Sequence, residues 1–262
     1  MYDEYLLNSF KELLVKRDLL RKSIICRSRL GKELNLPSDE YALIRGPEVL
    51  IECEINGFKG HAFTPYPLSY KSTLSRLVND LDLGNIGWRG IFFATLNALL
   101  TMLGIIDGGT HCKGKEPELC GVELADYLLR SYGSNVSILH IGYHPGHVKA
   151  LVSRFRNVYV TDLNKDVIGK VKYGVRIIDG FKNNELIKYV DIILITGSAI
   201  VNKTIYGIIN EVFKEGKVGV IYGVSAKGAY TILKRAFKEF LNIGYFCPYS
   251  VAQWPSSRTR KA

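Results

Sequence analysis

The 262-residue chain has a single glutamine (Gln253), two methionines and no apolar run long enough to cross a bilayer. Its longest apolar stretch, Ile91 to Ile106, is broken by Thr95, Asn97 and Thr101 and falls short of the roughly 20 residues a spanning helix needs. No secretory leader is expected either. The opening MYDEYLLNSFKELL puts acidic residues where a leader needs basic ones, and no small-residue cleavage site follows. The protein is therefore expected in the cytoplasm. Its five cysteines, at 26, 53, 112, 120 and 247, are too few and too irregular for a secreted disulfide scaffold, and the odd number leaves at least one thiol. Scarce Gln and Met beside abundant Ile, Val, Lys and Tyr resemble thermophilic usage. Repeats and low-complexity segments are absent.

What is present is an ordinary globular composition, 47% hydrophobic and 23% charged, with a net charge of +10. The positive excess gathers between Lys11 and Lys32 and in the tail Arg258, Arg260 and Lys261. Aromatic and basic residues are not interleaved as in RNA-recognition surfaces, so nucleic-acid binding is not the expected main role. A basic surface that is simply solvated, or that draws in an anionic small molecule, accounts for the charge.

The two halves differ in pattern. Residues 3–30 read as helix, with Leu6, Leu7, Phe10, Leu13 and Leu14 on one face. Val49 to Ile55 and Phe58 to Phe63 flank Asn56-Gly57, a hairpin signal. Helices are expected over Ser69–Leu81, Ile86–Leu103 and Glu118–Ser131, the last with Pro117 at its first turn. After Gly133 the pattern becomes short apolar runs (136–141, 158–161, 174–178, 192–196, 218–222, 243–246) alternating with amphipathic segments. That alternation predicts a parallel sheet covered by helices on both faces. The fold class is thus α/β: an α+β domain over 1–134, a Rossmann-like domain over 135–252, and a basic tail over 253–262.

In such a sheet ligands bind beyond the carboxyl ends of the strands, at the switch in strand order. That rule selects Gly142-Tyr143-His144-Pro145-Gly146-His147, where glycines admit a close ligand and a helix start favours an anion. The loop lacks the G-x-G-x-x-G fingerprint. Asp162 lies twenty residues after Gly142, the offset at which an acid meets a ribose hydroxyl; equally, it is a cap for the residues that follow. Thr196, Gly197, Ser198 and Asn202 crowd the next strand end, and Ser225 the one after, although Asn202 also suits a helix cap. His111, Cys112 and Cys120, with His144, carry the imidazole and thiol donors that transition metals such as zinc use. Cys112 and Cys120 are too far apart in sequence for a C-x₂₋₄-C zinc motif, so acid–base, ligand-contacting and structural roles stay open. His140, inside a strand, reads as a core residue. Neither a Ser-His-Asp set nor a nucleophile elbow is present.

These residues resemble a prokaryotic family described as "putative heavy-metal chelation" proteins, once a domain of unknown function. The likeness rests on Thr196-Gly197-Ser198 with Val201-Asn202-Lys203-Thr204, similar to the family's T-G-[ST]-x-x-V-N-x-T stretch, and on Gly142-Tyr143-His144-Pro145. It extends to Gly60-His61-Ala62-Phe63-Thr64, to Arg89-Gly90 through Leu96-Asn97-Ala98, and to His111-Cys112-Lys113 with Glu116-Pro117-Glu118 and Cys120. The chain departs from the family at Val224, where many members carry proline, and at Phe93, where they carry a small residue. The resemblance implies a domain similar to the enolase N-terminal domain before the Rossmann-like one, with a site in the cleft between them faced by Asn97.

Three functions follow as expectations. One is binding of a metal, a metal chelate or a small anionic ligand in that cleft, with or without catalysis. The second is an enzyme using S-adenosylmethionine or another nucleoside-containing ligand. The third is a non-catalytic, nucleic-acid-associated protein drawn by the positive charge. No membrane partner is expected, and a homodimer is the default assembly.

Overall fold

A computed structural model describes residues 1–249; the basic tail Gln253–Ala262 lies outside the described residues. Helix α1 (Tyr2–Lys16) buries Tyr2, Leu6, Phe10 and Leu14, one face of a 3.6-residue period. The helical reading of residues 3–30 fails beyond it. Asp18 turns with φ 51°, and Ser23–Arg29 is a strand, β1, that buries Ile24 and Cys26 in alternation. Residues 30–48 then leave the sheet, carrying one short helix, α2 (Ala42–Arg45).

The hairpin forms as read. Strands β2 (Val49–Ile55) and β3 (Phe58–Thr64) join through Asn56 at φ 50° and Gly57 at φ 82°, the two positive angles such a turn requires. The helix expected from Ser69 is divided. Tyr70–Thr73 is strand β4, and α3 (Leu74–Asp80) starts only where Thr73 caps it by accepting the Arg76 amide at 3.3 Å. The sheet runs β3-β2-β1-β4, wholly antiparallel. Cys26 and Cys53, register partners in β1 and β2, are joined by a disulfide.

Helix α4 (Ile86–Met102) is capped by Asn85, which accepts the Gly87 and Trp88 amides at 2.9 and 3.2 Å. From Arg89 to Thr101 every residue is buried, because one side lies on β2 and β3 and the other meets the second sheet's helices. Its approach to β3 demands glycine: a Cβ on Gly60 would stand 2.1 Å from the Ala94 carbonyl oxygen. Helix α5 (Glu116–Tyr132) begins with Pro117 in its first turn and ends at Gly133, φ 77°.

The second half comprises β5 (Ser137–Ile141), α6 (Pro145–Val152), β6 (Asn157–Asp162), β7 (Val171–Lys172), β8 (Val175–Asp179), α7 (Asn183–Ile187), β9 (Ile192–Thr196), α8 (Ser198–Val201), α9 (Ile205–Lys214), β10 (Val218–Tyr222), α10 (Lys227–Leu233) and β11 (Ile243–Phe246). Its sheet is ordered β11-β10-β9-β5-β6-β8-β7, parallel except for β7. Leaving β7 aside, the strands lie 3-2-1-4-5-6 in order of appearance, the arrangement of doubly wound nucleotide-binding sheets. One continuous apolar core runs through both halves, from Phe10 and Phe92 to Ile193, Ile221 and Ile243. No helix among the described residues is long and apolar enough to cross a membrane.

Candidate functional site

Strand order reverses between β5 and β9, so the loops after them part and leave a crevice. Gly142 turns the first loop at φ 88°. A Cβ there would come within 2.8 Å of the Thr196 side chain and 3.1 Å of the Tyr222 hydroxyl. His144 caps α6, its Nδ1 accepting the His147 amide at 3.2 Å, which leaves its proton on Nε2. A cavity of about 620 Å³ opens at this point. Gly142, Tyr143, His144, Asp162, Thr196, Gly197, Ser198, Asn202 and Ser225 line it, and so do His111, Cys112 and Cys120.

Several of these side chains are already engaged. Asp162 accepts the Tyr143 amide at 2.6 Å and the Asn164 amide at 2.7 Å, so it fastens the loops after β5 and β6 to each other. Asn202 accepts the amide and hydroxyl of Thr204 at 3.1 and 2.7 Å, a local turn. Thr196 and Ser198 hydroxyls meet at 3.0 Å. Ser225 accepts the Phe63 amide at 2.9 Å and thereby pins edge strand β3 to the second sheet.

Asn97 does not face the cavity. Fully buried on α4, it donates to the His61 and Val224 carbonyls, both at 2.9 Å, and accepts the Gly228 amide at 2.8 Å. It is a strut between the halves. Arg89, two turns earlier, does the same work: its guanidinium donates to the carbonyls of Val201 (2.7 Å), Ile200 (2.5 Å) and Leu83 (3.3 Å) and to Asp3 (2.5 Å). Those first two carbonyls end α8, so Arg89 holds the Thr196–Asn202 segment from behind.

The segment bearing His111 and Cys112 is held through His61. That ring's Nδ1 accepts the His111 amide at 2.9 Å, so its proton lies on Nε2, 3.2 Å from Glu52. Glu52 also receives Arg29 at 3.0 Å and Lys59 at 3.3 Å, and the His61 bond foremost keeps its carboxyl well below the usual range. Cys112 Sγ stands 3.7 and 3.9 Å from the two nitrogens of His111, against the ring rather than aimed at one lone pair. Cys120 Sγ is 3.4 Å from His147 Nε2, and His147 Nδ1 is 3.2 Å from His140 Nε2. His140 is buried, as a core residue should be.

Burial sets the protonation of this wall. It lowers His111 to about 4 and His140 and His144 to about 3, so all three imidazoles are neutral at pH 7. It raises the thiols of Cys112 and Cys120, helped in both by Cys247. Glu48, a residue the sequence gave no reason to select, faces the same space; burial and then the Asp162 carboxylate push it up to about 7, against a hydrogen bond from Ser198. Glu40 and Tyr41 also line the cavity and were equally unforeseen. The cavity wall therefore carries imidazoles and thiols that are all uncharged at pH 7, and of these only the thiols would have to lose a proton to bind a cation.

Thiols with imidazoles are the chemistry of zinc, copper and related metals. Yet among the described residues no three His, Cys, Asp or Glu side chains converge on one metal position. A closed structural zinc site takes four protein ligands and a catalytic one three.

Residues 126–239 match the DUF364 family, described as "putative heavy-metal chelation". The match lies within the second half of the chain and spans the parallel sheet from α5 to α10. A DUF364 protein of unknown function from Pyrococcus horikoshii, known from a crystal structure, is 19% identical, with a TM-score of 0.56 over 89% of this chain and 83% of that one. A second, from Desulfitobacterium hafniense DCB-2, is 11% identical, with a TM-score of 0.49 over 72% and 73%. The first likeness extends the shared fold beyond residues 126–239, over 89% of this chain. No curated protein matches the chain.

Proposed function

We propose that the protein binds a metal ion together with a small organic chelator in the cavity at the β5/β9 switch point. In this reading residues 1–134 and 135–252 are two domains, and the ligand lies between them. One observation carries it: a space of about 620 Å³ is drug-sized, far more than a bare ion needs, while its thiols and imidazoles fall short of a complete metal shell. The chelator would lie against Gly142, Tyr143, Gly197 and Ser198, with Asn202 and Ser225 behind. The metal would face His111, Cys112 and Cys120. The family description, heavy-metal chelation, agrees in kind.

Native mass spectrometry tests this on protein incubated with Zn²⁺ and citrate. The expected spectrum shows an increment containing both metal and citrate, absent from a His111→Ala/Cys112→Ala variant. A bare chain after incubation, or an increment that survives in the variant, overturns the proposal.

A second reading is favoured by the strand order and by Asp162 at the end of the second strand: a nucleoside-containing ligand such as S-adenosylmethionine, with the protein an enzyme. Calorimetry with S-adenosylmethionine decides it, since Asp162→Ala should abolish any heat seen with the native chain.

A further inference from the structure

The link between β1 and β2 is far longer than its geometry requires. Arg29 pairs directly with Leu50, so a tight turn would suffice, as Asn56-Gly57 suffices between β2 and β3. Instead residues 30–48 leave the sheet and cross to the other half of the molecule. Residues 39–48, apart from Ile44, form one wall of the cavity. Excursions of this length in compact domains are mostly lids or binding loops.

Two carboxylates hold the crossing: Glu48 takes a hydrogen bond from Ser198 at its end, and Glu40 makes the larger set of contacts near its start. Glu40 forms an ion pair with Lys172 and accepts the Tyr143 hydroxyl at 2.9 Å and the Tyr173 hydroxyl at 3.3 Å. Lys172 and Tyr173 lie at the tip of the β7–β8 hairpin, turned by Tyr173 at φ 50° and Gly174 at φ 84°. The Lys172 contact foremost holds the Glu40 carboxyl below the usual carboxylate range. The next residue, Tyr41, packs its ring edge-on to His144 at 5.2 Å. Tyr41 is only 5% exposed, and although the Gly146 backbone lies beside its hydroxyl, that hydroxyl donates to no acceptor among the described residues. A buried hydroxyl that keeps its proton unshared is costly, and at the wall of a cavity that proton is free to meet an acceptor on a ligand.

Both ends of the segment have hinge character. Asn35, at φ 48°, and Pro37 precede it, while Gly46-Pro47 closes it. Between them few side chains are buried, so little apolar packing opposes movement.

We propose that residues 38–48 are a lid over the cavity, latched shut by Glu40 on Lys172, Tyr143 and Tyr173, and that closure presents the Tyr41 hydroxyl to the bound ligand. The lid needs no ligand to be detected, so its test is separate from that of the metal-chelate reading.

Cys112 and Cys120, each 8% exposed on the cavity wall, report its opening. The measurement is the iodoacetamide alkylation rate of each, followed by peptide mass spectrometry on the native full chain at pH 8. Sulfur displaces iodide from carbon, and the thiol proton passes to solvent. Glu40→Ala should speed both reactions at least tenfold, Lys172→Met less, and the double variant no more than Glu40→Ala alone. Low urea separates lid from global opening, because lid opening exposes little surface and its rate responds weakly. Unchanged rates in Glu40→Ala, additive effects in the double variant, or acceleration with the full urea dependence of unfolding would each overturn the lid. Tyr41→Phe tests the second half. It should leave alkylation unchanged and weaken binding of the Zn²⁺–citrate probe; equal binding removes Tyr41 from the ligand contacts.

Discussion

Replacing Glu48 by Gln should stabilise the protein at high pH and not at low pH. The folded state pushes this carboxyl up to about 7 from an ordinary 4.5, chiefly by burial and then by the Asp162 carboxylate. Below pH 4.5 the group is protonated in both folded and unfolded chains and contributes nothing. Between 4.5 and 7 the unfolded chain releases the proton while the folded chain keeps it, so stability falls as pH rises. Above 7 both forms are ionised and the loss is complete. Moving the carboxyl from 4.5 to about 7, at about 1.4 kcal/mol for each tenfold change in its acidity, gives a loss of roughly 3.5 kcal/mol. Glutamine retains an oxygen for the Ser198 hydroxyl but cannot ionise. Urea unfolding of both proteins from pH 4.5 to 8.5 should therefore give curves that converge at the acid end and separate by roughly 3.5 kcal/mol at pH 8.5. Asp162 is raised in the same direction, but it titrates in both proteins and cancels from the difference. Parallel curves would show that Glu48 is hydrated in the folded protein and that the cavity wall is not dry.

Arg89→Met should cost about 3–5 kcal/mol in denaturant unfolding, because it strands Asp3 and the end carbonyls of α8 at a fully buried position. Asp3→Asn added to it should recover part of that loss, and strict additivity would refute the pairing. Gly142→Ala should cost roughly 2 kcal/mol or more, since φ 88° and a 2.8 Å contact with Thr196 act together. Native-like stability in that variant, measured by thermal unfolding, would mean the β5 loop is not held as described.

The second half was legible because buried parallel strands leave a plain signal. Ile192–Thr196 and Val218–Tyr222 are runs made mostly of β-branched and aromatic residues, each followed by glycine, and both stand where the runs predicted. β1 was not legible. Its alternation spans only Ile24 and Cys26, between arginines, after a helix whose charge pattern runs on into it. The candidate site was legible only as far as the strand-end rule reaches. Gly142, His144 and Ser198 follow from that rule. Glu40, Tyr41 and Glu48 do not, because their place at the cavity depends on where a long excursion from the other sheet comes to rest. Asn97 was expected to face the cleft, yet its amide is spent entirely on the backbones of β3, Val224 and Gly228. Nothing in a linear pattern distinguishes an asparagine that meets a ligand from one that joins two backbones.

Helix α4 belongs to both sheets at once, buried on every side and tied at Arg89 and Asn97. Many cleft proteins grip a ligand by swinging two lobes about a hinge, as a clamshell does. Here the would-be hinge is a solid beam sunk in a core that runs through both lobes. Any adjustment to an arriving molecule must take place in the loops at the mouth. The distance across the floor of the crevice is then a fixed gauge, and a molecule too large for it is refused rather than accommodated.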